Sequence, residues 1–158
     1  MRSRTLLIVV VPLAVLGGLL LVARNSLWGP AESISSSGRY FPGQRWAIRG
    51  RALDPQPNVV IGRIESSTEG AVFHVSLFGV HIATPRKPPD AVDELPHMPL
   101  SAAALDASVV QLLGSGDLAV GFERGYSEWS KARGGVFSVS VADVLDLMEH
   151  SFDNPPQQ

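Results

Sequence analysis

Ala71-Val72-Phe73-His74-Val75-Ser76-Leu77-Phe78-Gly79-Val80-His81-Ile82 is the stretch on which the fold turns. Phe73, Val75 and Leu77 alternate with polar residues, the period of a half-buried strand. Phe78, Val80 and Ile82 then alternate on the opposite parity. A strand that keeps both trios on one buried face needs one extra residue, so the pattern predicts a β-bulge near residues 77–79. The bulge also gathers His74, Ser76, Gly79 and His81 on the other face.

Upstream, Val59-Val60-Ile61-Gly62-Arg63-Ile64-Glu65 reads as a strand joined to this one through Thr68-Glu69-Gly70. Trp46 and Ile48 alternate with Arg45, Ala47 and Arg49 in a further strand over residues 44–50, and Asp54-Pro55-Gln56-Pro57-Asn58 is a turn cluster. Downstream, residues 84–99 hold five prolines and predict a long exposed loop. Ser101 is a suitable N-cap for a helix with Leu105, Val109, Leu112 and Leu113 as its apolar stripe and Gly114 as its stop. Phe122, Tyr126 and Trp129 recur at helical spacing ahead of Gly134-Gly135. Val136 to Val139 suggest a short strand. Ser140 and Asp143 resemble a capping box for a last helix buried through Val141, Val144, Leu145, Met148 and Phe152. Short links favour antiparallel pairing. The expected architecture is α+β, a mainly antiparallel sheet of three or four strands with two or three helices packed on one face, preceded by an N-terminal transmembrane helix.

That last element rests on residues 6–23, an uncharged apolar run. As a helix it is about 27 Å long, against a hydrocarbon core of roughly 30 Å. Arg2 and Arg4 precede it and Arg24 follows, which sets the N-terminus in the cytoplasm and the remainder on the periplasmic or extracellular side of a single-pass protein. A cleaved signal peptide is the competing interpretation, disfavoured by the length of the run. The implied organisation is an anchor over residues 1–24, a Ser/Gly/Pro-rich linker over 25–38, an exported domain over 39–153 and a polar tail over 154–158.

The 158 residues contain no cysteine, which excludes disulfides, thiolate metal sites and a cysteine nucleophile. Beyond Arg24 the chain carries ten basic residues against fifteen acidic ones, a net of −5, so no nucleic-acid partner is expected. There is no Gly-x-Ser-x-Gly, Ser-x-x-Lys or Walker lysine. His74, His81 and His97 could form a three-histidine zinc site, although no compact ligand pair such as His-Glu-x-x-His is present. Otherwise they are a solvated strand face and a loop histidine. Arg39, Arg45, Arg49 and Arg51, interleaved with Tyr40 and Trp46, could dock an anionic partner or lipid headgroups; the preferred interpretation is an edge strand protected by charge. Tyr126 and Trp129 read as core.

Several segments taken together resemble a group of small uncharacterised bacterial proteins with a secreted or membrane-anchored domain. They are Asp54-Pro55, Val60-Ile61-Gly62-Arg63-Ile64-Glu65, Val72-Phe73-His74-Val75-Ser76-Leu77, His97-Met98-Pro99-Leu100-Ser101, Ala107-Ser108-Val109, Gly125-Tyr126-Ser127-Glu128-Trp129 and Gly134-Gly135-Val136-Phe137. The resemblance spans residues 44–141. It implies a bacterial envelope location and carries no activity, cofactor or catalytic residue. The function expected is a membrane-anchored envelope module, non-catalytic, without cofactor, held to the membrane by residues 6–23 and binding a protein partner. The candidate interaction residues are His74, His81, His97, Tyr126, Trp129, Arg45 and Arg49. The alternatives are a metal-assisted hydrolase using His74, His81 and His97, and a small inhibitor or immunity-type protein.

Overall fold

The computed structural model describes residues 38–83 and 91–153. Five strands form one antiparallel sheet: β1 (Gln44–Ile48), β2 (Asn58–Ser67), β3 (Gly70–Ala83), β4 (Ala91–Ser101) and β5 (Val109–Ser115). Their spatial order is β4-β3-β2-β1-β5. Helix α1 (Ala102–Ser108) lies between β4 and β5 in the chain, and α2 (Phe122–Ala132) and α3 (Val141–Asp153) follow.

The β3 pattern organises the core. Phe73, Val75, Leu77, Val80 and Ile82 are all buried in one apolar cluster, which α1 and α3 close through Ala104, Leu105, Val141, Val144 and Leu145. The change of parity is made at Gly79, whose φ of +64° an L side chain rarely adopts, and the β3–β4 register shifts there. Phe78 does not join the core as expected; it points to the other face, where the Arg45 guanidinium lies 5.9 Å from its ring centroid. A second register shift, between Ile61 and Arg63, leaves Ile61 in the core, with Ile64 packed against it, and turns Arg63 and Glu65 to the opposite face.

Four expectations about the elements need correction. The sheet has five strands because two were hidden. Residues 91–101 are a strand despite Pro96 and Pro99, which β4 tolerates at the edge of the sheet. Residues 109–115 are also a strand: α1 ends at Ser108, and Leu112 pairs with Trp46 across the β1–β5 ladder. The Leu105/Val109/Leu112/Leu113 stripe is therefore no helical face, and Leu112 and Leu113 are exposed. Nor do all helices share one face. α1 and α3 cover the main core, whereas α2 lies across the opposite side, with Phe122 against Gly62. Val136 to Val139 contribute only a single bridge, Phe137 to Leu100.

The expected transmembrane helix gains no support. Among the described residues no helix is long and apolar enough to cross a membrane. The longest, α3, has 13 residues, about 20 Å of helix against roughly 30 Å of hydrocarbon. Residues 6–23, all but the last residue of the linker over 25–38, and the tail over 154–158 lie outside the described residues. The single-pass topology, the membrane partner and the periplasmic-side location are corrected accordingly. What stands is an α+β domain with three helices and a five-stranded antiparallel sheet.

The two predicted helix starts are built as the sequence implies. Ser101 Oγ accepts from the Ala104 N–H at 3.1 Å, and Ser140 Oγ accepts from the Asp143 N–H at 3.3 Å while donating to the Asp143 carboxylate at 2.5 Å.

Candidate functional site

A polar cluster lies between α2 and the second face of the sheet. Strand alternation sends His74 and Ser76 of β3 to the face opposite Phe73 and Val75, and β2 places Arg63 and Glu65 beside them. β4 adds His97. Ser76 fixes the approach of α2, donating to the Pro96 carbonyl at 2.8 Å and accepting from the Ala119 N–H at 3.1 Å. Two glycines let the helix come close: a Cβ on Gly62 would lie 2.4 Å from the Phe122 ring, and one on Gly125 would lie 2.7 Å from His97 Cβ. The site is packed rather than hollow.

His74 and His97 share one hydrogen bond, Nδ1 to Nε2 at 3.0 Å, with their rings 13° from parallel. His74 is fully buried. Its Nε2 is enclosed without a hydrogen-bond partner, and the Glu65 carboxylate stands 3.5 Å away. That separation is too long for a good hydrogen bond, so Glu65 acts on the ring through its charge. The arrangement assigns the tautomers. His74 carries its proton on Nε2, toward Glu65. His97 Nε2–H donates to His74 Nδ1, which leaves His97 Nδ1 with the lone pair.

Helix α2 supplies the cover. Tyr126 O–H donates to Glu65, and the Trp129 ring meets the edge of His74 at 4.6 Å between centroids. Trp129 Nε1–H donates to the Gly135 carbonyl at 2.9 Å, which holds the indole in place. The Arg63 guanidinium lies 4.1 Å from the Tyr126 ring centroid and 3.3 Å from the Glu123 carboxylate.

Burial pushes His97 down to about 4, with the neighbouring His74 acting in the same direction. Burial also lowers His74, opposed in part by Glu65. Glu65 itself is held below its ordinary value, first by the hydrogen bond from Tyr126 and then, against a burial penalty, by His74 and Arg63. Both imidazoles are thus neutral at pH 7, and Glu65 is ionised.

Of the sequence candidates, His74, His97, Tyr126 and Trp129 come together. His81 does not. It is exposed near the far end of β3, roughly 20 Å along the strand from His74, with its backbone held by Asp54 and Arg51. Among the described residues no group of three His, Asp or Glu side chains is arranged to hold a metal ion, so the hydrolase based on His74, His81 and His97 is withdrawn. Arg45 and Arg49 lie elsewhere, on and just beyond β1. Because β1 is paired on both sides, Arg45 is no edge guard. Ser76 was placed beside His74 by the strand alternation, whereas Glu65, Gly62 and Gly125 were not singled out from the sequence. Glu65 could have been: two residues beyond Arg63 on a strand predicted to pair with β3, it shares the face that carries His74.

The chain matches no known family model, no curated protein and no solved structure. The envelope-partner and inhibitor interpretations have no support from that side and none from the geometry.

Proposed function

We propose that this domain is a proton-responsive module in which α2 is a latch, docked at neutral pH and loosened by acid. The observation behind it is the buried imidazole pair, His74 Nδ1 to His97 Nε2 at 3.0 Å, served by a single carboxylate. A first added proton enters through His97 Nδ1, and its charge settles on His74, beside Glu65, as the shared proton moves from His97 Nε2 to His74 Nδ1. A second proton must occupy His97 Nε2, beneath the first turn of α2, whose N-terminal N–H groups disfavour positive charge. It destroys the hydrogen bond between the rings and sets two cations face to face. Either step works against the contacts that hold Gly125, Tyr126 and Trp129 on the sheet.

The direction with pH follows from linkage. A histidine whose folded value lies below its ordinary 6.5 binds fewer protons when docked than when released. Docking is therefore fully favoured above about pH 6.5, weakens as pH falls, and stops weakening near pH 4, the folded value of His97. Glu65 is held below its ordinary value, so it is ionised over the upper part of that window, where the Tyr126 hydrogen bond persists and the loss belongs to the imidazoles.

Amide exchange of the full-length chain, corrected for intrinsic rates, tests this. Protection in α2 is expected to fall between pH 6.5 and 4 while β2 and β3 stay protected. In His97→Asn the pH-dependent fall in α2 protection is expected to shrink to the part that His74 alone contributes. A flat α2 profile in the parent chain, or simultaneous loss in α2 and the sheet, contradicts the latch.

A further inference from the structure

Helix α2 covers only part of the second sheet face. Beyond its reach, toward β1 and β5, the same face forms an open groove of about 450 Å³ lined chiefly by Arg45, Ala47, Gln56, Pro57, Asn58 and Leu113. Arg45 is the only charged residue in the lining.

Arg45 is held in one posture from several sides. Its Nε–H donates to Asn58 Oδ1 at 2.8 Å, and Asn58, itself buried, is fixed by donating from Nδ2 to the Gln56 carbonyl at 3.0 Å. Gly116 packs on the Arg45 stem so closely that a Cβ there would lie 3.2 Å from Cδ. The guanidinium is 5.9 Å from the Phe78 ring centroid. These contacts use Nε and leave the two terminal nitrogens without a hydrogen bond or ion pair to any described residue. The free pair is the part of a guanidinium that takes a carboxylate through two parallel hydrogen bonds. Preorganisation lowers the ordering cost of such an encounter. Edge protection does not account for this arginine, because β1 is an interior strand. The apolar surroundings, Leu113 (52 % exposed), Pro57 and Ala47, have no charge to offer and suit a hydrocarbon tail.

We propose that this groove binds a small carboxylate carrying a short apolar tail, with the carboxylate on the terminal nitrogens of Arg45 and the tail along Leu113 and Pro57. Only the anionic head distinguishes this ligand class from a neutral apolar one, so charge is the property to vary.

The test is titration of the full-length chain with hexanoate and, separately, with hexanamide, followed by amide chemical shifts at pH 7. Hexanoate is expected to give saturable changes concentrated at Arg45, Ala47, Asn58 and Leu113, and hexanamide to bind at least tenfold more weakly. Arg45→Gln should lose at least tenfold for hexanoate and leave hexanamide unchanged. Leu113→Glu alters an exposed side chain, so it tests the groove even if the Arg45 variant fails to fold. The added carboxylate should repel hexanoate by a similar factor. The proposal is overturned if hexanoate and hexanamide perturb the groove equally, if the changes map elsewhere or do not saturate, or if Leu113→Glu binds hexanoate as the parent does.

Discussion

Arg51→Ala is expected to destabilise the domain by about 3–5 kcal/mol, the typical cost of leaving a buried charge without its partner. The Arg51 side chain is 9 % exposed and that of Asp54 is fully buried. Arg51 donates to both Asp54 oxygens, from Nη2 at 3.0 Å and from Nε at 3.2 Å, and reaches Glu149 at 2.9 Å and Asp146 at 3.4 Å on α3. It also donates to the His81 carbonyl. One side chain thus ties the turn after β1 to the end of β3 and to α3. Asp54 in turn accepts from the backbone N–H groups of Arg51 and His81. Burial alone would raise the Asp54 carboxyl. The Arg51 hydrogen bonds, the two N–H groups and the Arg51 charge outweigh it and hold the group below its ordinary value. Its contribution is therefore complete above the ordinary carboxylate value and is lost as pH falls through the lower folded one, beneath the histidine window. With total stabilities of about 5–15 kcal/mol for single domains, the loss is a large fraction of the whole. Urea unfolding of Arg51→Ala, Asp54→Ala and the double variant measures it. If the uncompensated carboxylate is the main cost, the double variant is less destabilised than the sum of the two singles. A single-variant loss below about 1 kcal/mol would show that the cluster behaves as an ordinary surface pair.

The parts of this architecture that were legible in the sequence share a cause: each is decided by local chemistry. Ser101 and Ser140 cap helices because their hydroxyls reach N–H groups three residues on. The β3 bulge shows in the parity of its own apolar residues. What was missed depends on neighbours. Val109 to Ser115 continue the spacing of the helix before them, and only the free edge of β1 makes them a strand. Pro96 and Pro99 suggest a loop until β4 is known to lie at the sheet edge, where a missing N–H is tolerated. Periodicity also could not say which sheet face α2 would cover. That choice rests on Gly62 and Gly125, two absent side chains, and it converts Tyr126 and Trp129 from expected core into the cover of the histidines. The pairing of His74 with His97, 23 residues apart, needs the β3–β4 register and so could not be read from either segment alone.

The same dependence on close approach makes Gly79→Ala the second large loss, about 2–5 kcal/mol. Gly79 combines two separable penalties. Its φ of +64° costs a residue with a Cβ about 1–2 kcal/mol. A Cβ there would also lie 2.2 Å from the Gln56 carbonyl oxygen, a backbone atom that cannot rotate away, and relieving such overlap costs about 1–3 kcal/mol. The approach is tight because Gln56 N–H donates to the Gly79 carbonyl at 3.3 Å, which draws the turn before β2 onto the bulge. Gly43→Ala is the control: its φ is +85°, and no atom lies within 4 Å of the added carbon. It should lose the conformational part alone, so the difference between the two variants isolates the contact with Gln56. If Gly79→Ala costs no more than Gly43→Ala, the turn yields freely. The bulge is then set by the parity of Leu77 and Val80 rather than by the closeness of the two chains. A larger loss with a lowered urea m-value would instead show that β3 has slipped its register, carrying Val80 and Ile82 out of the core.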